Sequence, residues 1–110
     1  MSGRSDVWWD WNATDEAIGA LRRIASAIDA AARQRASAAS ALLAGWEGPR
    51  QREWAARHAA LQAEAIRLRE QCLHAANAIA QASARARAEQ DRINRERQAA
   101  QQATQYAGQP

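Results

Sequence analysis

The chain has 110 residues, thirty-one of them Ala, with fifteen Arg, no Lys and twelve acids for a formal charge of +3. A single Cys excludes an intrachain disulfide framework, and no apolar run is long enough to cross a bilayer. The dominant residues (Ala, Arg, Gln, Glu, Leu) favour helix, β-branched residues are scarce and strand-like alternation is absent, so the composition predicts an all-α fold.

Residues 1–12 read as an N-terminal arm ending in Val7-Trp8-Trp9-Asp10-Trp11-Asn12. No cleavable signal peptide is expected in it, because acids and Trp stand where an apolar core would. Asn12 or Thr14 can cap the first helix, with Asp15 and Glu16 in its first turn. Two roles are open to Trp8, Trp9 and Trp11: packing back on Ile18 or Leu21 as a staple, or contact with a partner chain.

The first helix is predicted over about 14–44. Its apolar stripe is Ile18, Leu21, Ala25, Ile28, Ala32, Ala39 and Leu42, with Arg35 where a further member would fall. Ile24, Ala31, Ala38 and Leu43 widen the stripe enough for two neighbouring helices. Gly45-Trp46-Glu47-Gly48-Pro49 then interrupts the helical pattern and predicts a sharp reversal. A second helix follows over about 50–82, Pro49 being tolerated at its first position. Its seam is expected at Trp54, His58, Leu61, Ala65, Leu68, Cys72, Ala75 or Ala76, and Ile79, broadened by Ile66 and Leu73. Residues 13–82 thus form a hairpin, and 83–110 a polar helical extension with a flexible tail.

Length leaves a remainder. A first helix of roughly 46 Å can be matched only as far as about residue 80, so the last thirty residues have no counterpart inside the hairpin. Continued helix, docking on a partner and partial disorder all fit them. Both stripes are wider than one helix–helix contact covers, which implies association with a second hairpin into a four-helix bundle.

Signals for chemistry are absent. No phosphate loop or metal-ligand spacing occurs; His58 and His74 would lie roughly 24 Å apart along one helix, and His58 and Cys72 roughly 21 Å. Cys72 reads as a small core residue, with a disulfide across a symmetric dimer as the alternative. No catalytic residue, cofactor, metal or small-molecule substrate is expected. Nucleic acid is the stronger challenger, since ten Arg face six acids after residue 48. However, Glu89, Asp91 and Glu96 interrupt Arg85, Arg87, Arg92, Arg95 and Arg97, and no aromatic lies among them to stack on bases.

Trp46-Glu47-Gly48 between two long helices, preceded by small residues and followed eight residues on by Trp54, resembles the WXG-motif family. These are helical-hairpin proteins related to the early secreted antigen of mycobacteria and exported by the type VII (ESX-like) pathway. Trp9-Asp10-Trp11-Asn12 also looks like the aromatic-plus-Asn start of some members, so the resemblance covers roughly residues 9–82. It implies a homo- or heterodimer with a homologous hairpin, secretion without a signal peptide, and contact with a secretion ATPase and membrane machinery without stable membrane insertion. Trp46, Gly48 and Trp54 would carry the recognition turn. The core of hairpin or dimer would use Ile18, Leu21, Ile28, Leu42, Leu61, Leu68, Cys72 and Ile79. The family's Tyr-x-x-x-acid signal is not matched, because the only Tyr, Tyr106, has Pro110 four residues later. A partner, a variant signal or an adaptor role would fill that gap. Other classes are a cytoplasmic coiled-coil adaptor and a basic nucleic-acid-binding hairpin.

Overall fold

The computed structural model describes residues 5–108. It consists of two helices, α1 (Trp11–Ala44) and α2 (Pro49–Ala107), folded back on each other in a rod of 95 × 16 × 16 Å. The all-α hairpin expected from composition is present, and no strand occurs among the described residues.

Helix α1 starts three residues before the expected boundary because its cap is Asp10, not Asn12 or Thr14. Asp10 is extended (φ −85°, ψ 92°), and its carboxylate accepts the amide of Ala13 at 3.0 Å. A carboxylate placed there satisfies a free amide and opposes the positive end of the helix dipole. Thr14 reinforces the start by donating its hydroxyl to the Asp10 carbonyl at 2.8 Å.

The reversal is equally local. Gly45 closes α1 by donating to the Leu43 carbonyl, and Trp46 donates to the same oxygen at 3.3 Å. Gly48 has φ 110°, a conformation that costs any residue with a Cβ, and Pro49 supplies the first position of α2, where its missing N–H costs nothing.

Between the helices the seam is made of small and polar side chains. On α2 the shielded positions run Ala55, His58, Gln62, Ala65, Arg69, Cys72, Ala76, Ile79, Ser83, Ala86, Gln90, Ile93 and Arg97. They alternate by three and four without a skip, the 3.5-residue repeat of a left-handed coiled coil. Gln62 and Arg69 therefore stand where Leu61 and Leu68 were expected. Gln62 donates its amide to the Ala32 carbonyl at 2.8 Å and accepts Arg35 Nε at 3.2 Å, while Arg69 reaches Asp29 at 3.4 Å. These bonds can cross only because Ala25, Ala39 and Ala76, all buried, let the backbones approach closely. Several of the larger aliphatics are displaced outward, although Ile79 and Ile93 stay in the seam. Ile18, Leu21, Ile28, Cys72 and Ile79 are partly covered, whereas Leu42 (49 % exposed), Leu61 (60 %) and Leu68 (50 %) lie outside the hairpin seam.

Helix α2 continues unbroken to Ala107, and most of the segment beyond residue 82 has a counterpart after all. Residues 6–9 lie along it as an extended strap. Gln90 receives the Val7 amide on its Oε1 and donates to the Asp6 carboxylate, both at 2.8 Å, and Arg97 donates to Asp6 at 2.6 Å. In this stretch Ile93 is only 3 % exposed. Helix lengths alone do not count this strap, nor the three residues by which α1 begins early. From Gln98 to Gly108 every residue is exposed.

Ile93→Ala is expected to cost about 2 kcal/mol in chemical denaturation, the typical loss for truncating a buried Ile. Tyr106→Ala, at a position 82 % exposed, should stay within about 0.5 kcal/mol of the parent.

Candidate functional site

The turn carries an aromatic stack. The Trp46 and Trp54 rings lie 6.3 Å apart and tilted by 54°, and Trp54 stacks on His58 at 5.3 Å with the rings nearly parallel. Trp54, the sixth residue of α2 and eight after Trp46, lies on the turn side of the helix, and His58 follows one helical turn later. Trp46, Gly48 and Trp54 are each partly exposed. Beside the stack an open groove of about 460 Å³ runs between the helices, with Leu42, Ala38, Trp54 and Leu61 as its apolar lining and His58 on its wall. Arg35 and Arg57 border it. Neither guanidinium has an acidic partner among the described residues. The sequence reading brought Trp46 and Trp54 together but missed His58 in the stack, although the i,i+4 spacing from Trp54 carries that information.

The strap forms a second aromatic group at the opposite end of α1. Trp9 and Trp11 lie 6.2 Å apart, and the Arg87 guanidinium sits 5.1 Å above the Trp11 ring, a cation–π contact. Trp9 Nε1 is buried without an acceptor. Trp8 is 89 % exposed and faces away from the hairpin. The three Trp therefore divide: two are engaged in this cluster and one is presented.

The Arg-rich segment is largely committed to the chain itself. Arg92 is held by Glu89 at 2.6 Å and by Glu96 at 3.4 Å, Arg97 by Asp6, and Arg87 by Trp11. Glu89 raises the affinity of Arg92 for its proton, as a carboxylate hydrogen bond to a cation must. This pairing offsets the charge of Arg92 and Arg97, while Arg85 and Arg95 remain exposed.

Cys72 is a free thiol, half-covered on the seam. Among the described residues no three His, Cys, Asp or Glu side chains are grouped to hold a metal ion, and no helix is long and apolar enough to cross a membrane. No family model, curated protein or solved structure matches this chain.

The strap carries a pH dependence. Hydrogen bonds from Gln90 and Arg97, with the Arg97 charge, hold the Asp6 carboxyl below its ordinary value of 3.8. A lowered folded-state value means the contribution is complete above the ordinary value and is lost as pH falls through the lowered one. The Trp9 and Trp11 indole signals in NMR should therefore stay native as pH drops to about 4 and report strap release only below it. Asp6→Asn should loosen the strap at neutral pH and abolish that acid transition.

Proposed function

We propose that this chain is a small helical-hairpin protein of type VII (ESX-like) secretion, exported itself or serving as partner or adaptor for an exported chain, and acting as one half of a pair of hairpins. The observation that carries this reading is the turn. A Trp-x-Gly reversal, fixed by the positive φ of Gly48, holds Trp46 against Trp54 beside an open apolar groove. A rigid indole next to an uncovered groove is the type of feature from which protein–protein hot spots are built.

The exposed aliphatics support the pairing half. Leu42, Leu61 and Leu68 are each about half exposed or more, and they adjoin the seam instead of being scattered. A second hairpin would cover them as one layer of a four-helix bundle. Tyr106 is 82 % exposed near the end of α2 and lacks an acid four residues on. In this reading the chain supplies the Trp half of a two-part export signal, and the partner supplies the Tyr-and-acid half to the secretion ATPase.

A coiled-coil adaptor without export is the second reading. It is favoured by the unbroken three-four repeat from Ala55 to Arg97, a length of shared seam that serves a spacer as well as a cargo.

Trp46→Ala separates the two. Losing the ring contact with Trp54 should cost about 1 kcal/mol of stability. In cells that carry a type VII machine, the export reading requires the extracellular fraction to fall severalfold while the intracellular amount is maintained. Parallel losses inside and outside would leave only the adaptor reading.

A further inference from the structure

We infer that the groove beside the turn is filled by a second copy of this chain, with α2 packed antiparallel on the other copy's α2 about a two-fold axis at Leu61. The inference deepens the pairing half of the proposed function and rests on it, but is independent of export.

A stripe of side chains on α2 lies just outside the hairpin seam. Trp54, Arg57, Leu61, Glu64 and Leu68 follow one another at intervals of three, four, three and four, so they share one face. Read from Leu61 outward, the stripe has a bulky apolar residue seven positions away on each side. Between them stand a cation on one side and an anion on the other. An antiparallel copy centred on Leu61 therefore sets Trp54 against the second copy's Leu68, and Leu68 against its Trp54. Arg57 falls within one residue, about 1.5 Å of axial distance, of the second copy's Glu64, and the relation is reciprocal. A stripe that is its own complement in size and charge selects a second copy over an unlike partner.

The present state of these groups agrees with such an occupant. Arg57 borders the groove and has no ion pair among the described residues. Glu64 is paired only with Arg67 one turn along the same helix, and both side chains are mostly exposed, so little is lost when Glu64 turns to a new cation. Beside this stripe, α1 presents Ala31, Gln34, Ala38 and Ala41, small and without charge. Arg35 also borders the groove, its Nε donating to Gln62, and its guanidinium must stay at the wet rim of such a contact. The opposite flank also exposes Ile66 and Leu73 but lacks the reciprocal order of charges. There Asp29 is ion-paired to both Arg33 and Arg69, and those charges would have to lose water under a partner.

The test is the mass of the full chain in solution, by light scattering and sedimentation equilibrium, with helix content followed by circular dichroism. Wild type should be dimeric. Arg57→Glu and Glu64→Arg should each weaken the dimer by about tenfold or more, since each puts like charges opposite one another twice. The double variant, with the charges exchanged, should recover most of the loss. Leu61→Lys, which sets two ammonium groups on the axis, should give a folded monomer, whereas Leu73→Lys on the opposite flank should stay dimeric. A monomeric wild type overturns the inference, as does a dimer indifferent to Arg57→Glu or a double variant no better than the singles. Export of Trp46→Ala is read in a separate assay, so the two readings can fail independently.

Discussion

The separation between α1 and α2 is the constraint on which the rest of the molecule depends. Alanines at the buried positions let the two backbones approach, and the phase of α2 turns Leu61 and Leu68 out of the seam while Ile79 and Ile93 stay within it. The seam instead admits an amide and a guanidinium that find partners across it, Gln62 on the Ala32 carbonyl and Arg69 on Asp29. Those polar groups fix register, since a slip of one residue would strand both. They contribute little hydrophobic stabilisation. Apart from Ile79 and Ile93, the large aliphatics of α2 lie on the flanks.

That exchange makes the hairpin's core thin. The buried apolar residues are Ala25, Ala39, Ala76 and Ile93, and no large side chain is wholly enclosed among the described residues. An Ala removed from water gains about one methyl group's worth of transfer free energy, well under that of a Leu. The partly covered Ile18, Leu21, Ile28 and Ile79 add to this core, and Leu42, Leu61 and Leu68 leave about half of their surface or more outside it. A thin core and an uncovered apolar flank are thus two results of one choice of seam residues.

The gross fold was legible from residue order because its signals are local. The two Gly and Pro49 mark the turn by backbone geometry alone, and an Ala- and Arg-rich chain without β-branched runs has little alternative to helix. The phase of the α2 seam was not legible in the same way. Leu61 and Leu68 satisfy a three-four repeat as well as Gln62 and Arg69 do, and hydrophobicity ranks the leucines first. Only the cross-helix hydrogen bonds, which are tertiary, reverse the ranking. Asp10 was passed over as a cap because Asn12 and Thr14 carry equally good capping groups nearby. The strap was missed for another reason: its partner residues lie more than eighty positions away, at Gln90 and Arg97. At the turn, the Trp46–Trp54 contact followed from spacing, whereas the groove beside it follows from how far apart the helices stand.

The strap extends the same logic to the far end of the rod. Beyond the start of α1 no helix is available as partner to α2, and the segment of residues 6–9 takes its place. An extended segment cannot satisfy its backbone through its own helical bonds, so it borrows from the helix beneath it: the Val7 amide goes to the Gln90 side chain. That explains why Gln90 and Arg97 occupy seam positions where a hairpin of equal helices would carry apolar residues. Their side chains answer a strand and a carboxylate, not another helix. The same residues that look like a failing hydrophobic repeat in sequence are, in space, the continuation of the seam by other means.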